Sequence, residues 1–297
     1  MIKKEKIYNE LTIIGGGLIG VSLAKIVRKK NLVKKIKFYD RSEDVCSKLS
    51  QMSLVDKVYD NILEAVKGSD IVVLAVPVGV MGNIVSKISV ELGKGTVLTD
   101  TGSTKASVIE DIKPHLPNHV HFIPSHPLAG TEKSGPEAGL SSLFKGKYWV
   151  LCPDNKIPDL IIRNFENFLS SCGAITERMT AEYHDKILAI TSHLPHLIAY
   201  TIVGTAIDLE EQTKHDVVRF SATGFRDFTR IASSDPIMWR DIFLNNKEAV
   251  LEMLQRFSED ITYLQRAIRW SEGEKLESLF SRTREIRRSI IKEGQDT

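Results

Sequence analysis

Residues 11–20, LTIIGGGLIG, constrain the fold of this chain more than any other stretch. An aliphatic, strand-like run passes directly into three consecutive glycines, and a fourth follows three residues later. Gly15, Gly17 and Gly20, with Leu18 and Ile19 between the last two, satisfy G-x-G-x-x-G at a strand-to-helix turn. Gly15 permits the tight turn, Gly17 lets backbone amides approach a pyrophosphate, and Gly20 allows the helix to pack closely on the sheet. The helix N-terminus adds partial positive charge. Asp40 ends the next strand-like run, 20 residues beyond Gly20, where a carboxylate accepts from both hydroxyls of an adenosine ribose. The expected cofactor is therefore NAD. Arg41 keeps NADP open, since a guanidinium can receive a 2′-phosphate or stack on adenine. A glycine-rich turn that holds no nucleotide is the alternative.

Six further apolar runs, at 35–40, 71–77, 96–100, 121–125, 148–153 and 174–179, follow the first at 11–15 and alternate with helical patterns. That alternation predicts stacked βαβ units and a mostly parallel sheet. Ligands of such sheets lie outside the carboxyl ends of the strands. Two of those ends, Val76-Pro77 and the turn Asp100 to Lys105, are expected to face a nicotinamide. Ser103, in the second, either bonds a ligand or caps a helix. After Thr180 strand-like runs vanish, and residues 181–208, 237–270 and 272–291 carry helical spacing. The fold class is α/β: a Rossmann-like NAD-binding domain over residues 1–179, then an all-helical domain over 180–297. Thr180 is the expected N-cap of the first long helix, with Glu182 in its first turn. Pro195 is expected to kink that helix between His193 and His196.

A net charge of +2 over 297 residues gives no strong field for nucleic acid or a membrane. Cys46, Cys152 and Cys172 lack the spacing of a zinc site, so reduced thiols, a cytoplasmic location and no metal are expected. The basic start MIKKEKIYNE before an apolar run mimics a secretory signal, but the glycines belong to a phosphate-binding turn. No apolar segment is expected to reach the roughly 18 residues of a membrane span. The end at Thr297 leaves no expected room for another folded module.

The segment Ser125 to Gly135, SHPLAGTEKSG, places His126 just downstream of the dinucleotide-binding pattern. Its neighbours Ser125 and Pro127, with Gly130 and Gly135 after it, predict a loop. His126 is a candidate proton acceptor beside a hydride acceptor, and a structural histidine is the alternative.

Taken in order, GGGLIG with Asp40, TDTGSTK, SHPLAGTEKSG, TSHLPH and GFRDFTRIASSDPIMWRDI make the chain resemble the prephenate/arogenate dehydrogenases of tyrosine biosynthesis over nearly its whole length. The resemblance implies an oxidative decarboxylation: hydride leaves C4 of a cyclohexadienol ring for NAD, the C4 hydroxyl loses its proton, and the ring carboxylate leaves as CO2. Prephenate would give 4-hydroxyphenylpyruvate, and arogenate would give tyrosine. By this likeness His126 accepts the hydroxyl proton, Ser103 orients the pair, and Arg230 anchors the ring carboxylate through a bidentate fork. His196 would contact substrate, with His193, Ser192 and Thr131 lining the same cleft. Glu132 and Asp227 would form an ionic network around Arg230 that controls access; a solvated surface pair is the alternative. Trp239 would reach a neighbouring subunit's pocket, or be ordinary core.

The family likeness also implies a homodimer built on the helical domain. The fused chorismate mutase or regulatory domain that the family often carries is not expected here, so tyrosine feedback would act by competition at the active site. Two other readings stand beside this one. A reductase or β-hydroxyacid dehydrogenase of the same architecture would need a catalytic lysine in the helical region. A sensor that binds NAD without turnover is compatible with the fold.

Overall fold

The computed structural model describes residues 7–208, 216, 219, 220 and 222–292. They fall into two compact units, Met1–Lys247 and Glu248–Thr297. In the first, β1 (Glu10–Ile14), β2 (Lys35–Tyr39), β3 (Lys57–Tyr59), β4 (Ile71–Leu74), β5 (Val97–Asp100) and β6 (His121–Ile123) form one parallel sheet ordered β3-β2-β1-β4-β5-β6. The crossovers carry α1 (Leu18–Lys29), α2 (Glu43–Gln51), α3 (Ile62–Val66), α4 (Met81–Ile88) and α5 (Ala106–Ile112). Burial on both faces explains the unbroken aliphatic strands. Ile71 and Val73 of β4 enter one core with Leu11, Ile13 and Phe38, whereas Val72 and Leu74 enter another with Ile14, Val85 and Leu98.

Two expectations about this region need correction. The strand β3 was not among the seven apolar runs, because a three-residue strand, KVY, is too short to show a period. The run 121–125 is also not one strand. Pro124 carries no N–H for a ladder, so β6 stops at Ile123 and the chain starts β7 (Ser125–Pro127) in a second sheet. There β7 pairs antiparallel with β8 (Tyr148–Leu151), and β8 pairs parallel with β9 (Ile175–Arg178) after the helix α6 (Asp159–Ser171).

From Thr180 onward the described residues are helical. Thr180 caps α7 (Ala181–Leu188), its hydroxyl accepting from the Tyr183 amide at 3.2 Å. A π-helical turn, Ala189–His193, then runs into α8 (Leu194–Ile207). The Pro195 kink is corrected by this arrangement. Proline falls in the first turn of α8, where its missing N–H costs little, and the irregularity lies upstream in the π turn. Residues 181–206 form a 26-residue helical stretch that contains an 18-residue window of mean hydropathy 1.4, so one segment does have the length and composition of a membrane span, contrary to expectation. Its polar residues His184, Asp185 and His193 are buried in hydrogen bonds to protein, while 28% of the apolar window is buried.

The helix α9 (Thr223–Thr229) leads through a 3-10 turn, Arg230–Ser233, to α10 (Pro236–Asn245). Asp235 caps α10 by accepting from the Met238 amide at 2.8 Å. The helix α10 packs on residues Val78–Val80, just beyond the end of β4. The second unit consists of most of α11 (Lys247–Arg269) and of α12 (Gly273–Lys292).

Candidate active site

The glycine turn divides its tasks as the sequence suggests. Gly15 has φ +107°, and a Cβ there would overlap the Ala75 carbonyl, so only glycine fits. A Cβ on Gly20 would strike the Gly15 carbonyl and come within 3.0 Å of Ile13 Cγ2, which fixes how closely α1 rides on β1. A Cβ on Gly17 would meet nothing within 4 Å. Packing therefore does not require glycine at that position. The emptiness lies at the start of α1, where no side chain caps the first amides, those of Leu18 and Ile19. Such a cradle fits a pyrophosphate. Asp40 is held in place by two amides, Gly16 donating to Oδ2 at 2.7 Å and Ser42 to Oδ1 at 2.9 Å, so its remaining lone pairs are available to ribose hydroxyls. Arg41 is exposed beside it, Val76 is half-buried at the end of β4, and Pro77 is exposed.

The ends of β5 and β6 lead to a buried polar cluster. The Lys105 ammonium pairs with the Asp100 carboxylate and donates to the Ser125 carbonyl at 2.8 Å. The Ser125 hydroxyl donates to the Asp100 carbonyl at 2.7 Å and accepts from Trp149 Nε1 at 2.9 Å. These bonds fix the short strand β7 against the edge of the nucleotide sheet. His126 follows in that strand, opposite Val150, and is 9% exposed. The expected loop is thus a buried strand, because the Pro127-containing segment finds a ladder partner in β8 that local sequence cannot show.

Hydrogen bonding around His126 determines its tautomer. Asp185, from α7, accepts the Lys105 and Ala106 amides at 2.8 Å each, capping α5 from another element. The same carboxylate faces His184 Nδ1 at 2.8 Å, and His184 Nε2 faces His126 Nδ1 at 2.9 Å. Burial holds both imidazoles below the ordinary histidine range; for His126 the neighbouring His184, Lys105 and His193 add to the effect. With both rings neutral, His184 donates from Nδ1 to the carboxylate and accepts at Nε2 from His126 Nδ1–H. His126 Nε2 is then unprotonated. It has no hydrogen bond to a described residue and is not sealed from solvent.

His193 has the opposite polarity. Asn246 Nδ2 donates to the Asp185 carbonyl at 2.8 Å, which orients the amide, and its second N–H meets His193 Nδ1 at 3.0 Å. His193 must therefore carry its proton on Nε2, a buried donor without a partner among the described residues. Burial pushes His193 down to about 4. Trp239 Nε1 is a second buried donor without a partner among the described residues. The Trp239 ring stacks on His196 with centroids 3.6 Å apart and meets His193 edge-on at 6.1 Å. It is thus packed against histidines of its own chain. His196 donates from Nδ1 to the Ser192 carbonyl at 2.9 Å.

The remaining expected residues lie at the surface. Arg230 donates to Glu132 at 3.0 Å, with 60% of the arginine side chain exposed. Asp227, on α9, is exposed and makes no ion pair with Arg230, so the expected network reduces to the Arg230–Glu132 pair. Thr131 is exposed and accepts from the Lys133 amide at 3.2 Å. Ser103 is half-buried, and its hydroxyl does not cap α5; Asp185 does. No group of three metal-ligating side chains occurs among the described residues.

Residues 23–177 match the family model described as the nucleotide-binding domain of prephenate dehydrogenase, and residues 180–282 match its dimerization domain. This chain belongs to the prephenate dehydrogenase family. A cyclohexadienyl dehydrogenase of Zymomonas mobilis is 39% identical over 284 residues, covering 96% of this chain and 97% of its own length. A prephenate dehydrogenase of Bacillus subtilis is 34% identical over 279 residues, covering 91% of this chain and 72% of its own length. The crystal structure of Aquifex aeolicus prephenate dehydrogenase in complex with hydroxyphenyl propionate and NAD+ superposes with a TM-score of 0.88 at 34% identity, covering 95% of this chain and 98% of that one.

Within this prephenate dehydrogenase fold, sequence reasoning missed three residues that organise the site: Asp185, His184 and Asn246. The adjacent pair His184-Asp185, one turn into a helix, was the available signal. Its partners lie 58 to 80 residues away in the chain.

Proposed function

We propose that this chain catalyses NAD-dependent oxidative decarboxylation of prephenate, with His126 as the base that takes the C4 hydroxyl proton. The carrying observation is a buried histidine whose Nδ1 is engaged by His184 while its Nε2 has no hydrogen bond to a described residue, on a strand that follows the carboxyl edge of the nucleotide sheet. NAD, when bound, supplies the hydride acceptor, and Gly17, the first amides of α1 and Asp40 would hold it. The substrate loses hydride from C4, a proton from the hydroxyl and its ring carboxylate as CO2; the electrons of the broken C–C bond complete the aromatic ring as a phenolate, which takes a proton back to become the product's hydroxyl. A histidine held neutral by burial is ready to accept a proton at neutral pH.

Arg230 is the proposed carboxylate anchor, exchanging its Glu132 partner for substrate. Glu132 would gate that exchange; Asp227 joins it only if α9 moves. The buried donors His193 Nε2–H and Trp239 Nε1–H are proposed to meet substrate oxygens, with His196, Ser192 and Thr131 at the same cleft and Ser103 beside the base. The proposed domain boundary is residue 179/180, the helical part serving substrate binding and a homodimer. The dimerization-domain match supports that assembly. A cytoplasmic location is proposed on the reduced state of the cysteines, of which Cys152 and Cys172 are buried with thiols pushed up to about 12 by desolvation.

Purified protein given prephenate and NAD should form NADH and release CO2 in equal amounts. Absence of turnover with both prephenate and arogenate would refute the proposal. Arogenate is the second reading, supported by the relative named cyclohexadienyl dehydrogenase. Initial rates with both acids and both cofactors separate the readings.

A further inference from the structure

Asp185 and His184 make a line of hydrogen bonds that ends on His126, and none of its members is replaceable by solvent. His184 is fully buried, Asp185 is 5% exposed, and His126 is 9% exposed. The line begins at a fixed point, because the Asp185 carboxylate is already bound by two successive amides of α5, Lys105 and Ala106. It also has a fixed direction. A carboxylate oxygen that accepts an amide faces His184 Nδ1, which must donate, and the neutral His184 ring can then only accept at Nε2. The rings of His184 and His126 meet edge-on, with centroids 5.1 Å apart and planes at 70°, and His126 Nδ1 lies 2.9 Å from His184 Nε2.

We infer that His184, oriented by Asp185, is a positioning residue that holds His126 in its Nδ1–H tautomer and so presents an unprotonated Nε2 to the substrate hydroxyl. This inference rests on the reading of His126 as the base. An unrestrained imidazole distributes its proton over both nitrogens and turns about χ2, and either freedom removes the acceptor from the reacting hydroxyl. A carboxylate performs the same service for the imidazole of a nucleophile triad. Here an intervening second ring extends the reach, so that the carboxylate remains in α7 while the base lies in β7.

Three donors converge on Asp185, and Asn246 adds a fourth bond through its main-chain carbonyl. Replacing Asp185 would therefore disturb the helix cap as well as the base, and His184 is the better position to vary. Glutamine at 184 can still accept from His126 Nδ1–H through its side-chain carbonyl. Phenylalanine fills the space without an acceptor.

The test uses the full-length protein labelled with 15N-histidine. Long-range 15N–1H spectra at pH 7.5 report which ring nitrogen bears the proton, with the His126 signals assigned by their loss in His126→Asn. The expected wild-type result is an Nδ1–H tautomer at His126. In His184→Phe that tautomer should give way to a mixture, and kcat should fall about 100-fold with KM for prephenate retained, the scale of losing orientation at a reacting centre. His184→Gln should recover kcat to within about 10-fold of wild type and restore the Nδ1–H signal. An Nε2–H tautomer at His126 in the wild-type spectrum would overturn the inference, as would a folded His184→Phe with unchanged kcat. Should His184→Phe not fold, the wild-type spectrum and His184→Gln still decide. A near-intact kcat in His126→Asn would refute the base assignment by itself, since the tautomer is read without turnover.

Discussion

Replacing Gly17 with alanine should separate nucleotide binding from folding, because the structure gives that glycine no packing role. Its φ of −80° and ψ of −170° are open to alanine, and the added methyl would meet no protein atom within 4 Å. Loss of glycine flexibility from the unfolded chain stabilises by about 0.4–1 kcal/mol, and alanine is a poorer N-cap than glycine by a few tenths or more. The two nearly cancel, so unfolding in urea without nucleotide should change by no more than about 0.5 kcal/mol. With NAD the outcome differs, because the methyl occupies the space in which a pyrophosphate must approach the first amides of α1. Losing one charge-assisted hydrogen bond there costs about 1.5–3 kcal/mol, a fall in affinity of roughly 10- to 150-fold. Titration calorimetry reads that loss directly. Thermal melts read it again, since a ligand at 100 times its Kd adds about 2.7 kcal/mol of stability, and roughly half to nine-tenths of that should vanish in the variant at the same ligand concentration. Gly20→Ala is the contrast. There the Cβ strikes the Gly15 carbonyl, so the protein should lose about 1–3 kcal/mol even without NAD. If Gly17→Ala bound NAD as tightly as wild type, or unfolded as readily as Gly20→Ala, the placement of the pyrophosphate would be wrong.

Other outcomes follow from the same site. His126→Asn should lower kcat by roughly 10²- to 10⁴-fold in steady-state NADH formation, and an unchanged kcat would remove it from the mechanism. Arg230→Ala should raise KM for prephenate about 10- to 100-fold with kcat nearly kept, since the arginine binds a charge present before the transition state; equal losses in kcat would contradict an anchoring role. Stability should fall on acidification. His126, His184 and His193 are neutral in the fold with pKa values below the ordinary 6.5, so the unfolded chain binds more protons, and stability present above pH 6.5 is lost as pH drops toward the folded values. For His193, whose folded value is about 4, that loss is on the order of 3 kcal/mol. Urea midpoints that stay level between pH 7.5 and 4.5 would show that these histidines are not buried neutral.

The nucleotide half of the molecule was legible because its signals are local. Glycine spacing, a terminal aspartate and doubly buried strands each follow from a few consecutive residues, and β1, β2, β4 and β5 lie where the aliphatic runs are. Signals weakened wherever the deciding partner is distant. His126 read as loop since Ser125, Pro127 and two glycines surround it, whereas its strand exists only through pairing with Tyr148–Leu151. Asp185 looked like an ordinary polar position in a helix, and its role as the cap of α5 depends on amides 79 and 80 residues earlier. Asn246 lies at the junction of two helices and carries no motif, yet it fixes the polarity of His193. Asp227 and Trp239 were placed by family likeness, and the side-chain geometry assigns them surroundings that the likeness did not supply.

The π turn at Ala189–His193 stores a setting of the helical segment in a single surplus residue. A π turn absorbs that residue by widening, so deleting one here would rewind the turn to ordinary α geometry with His196 still beside the Trp239 ring it stacks upon, whereas in an unbroken α-helix each residue lost swings everything after it by about 100°. Chain length at this point therefore has slack, like a loop left in a cord: one residue can be lost here without turning the later imidazole toward the wrong neighbours.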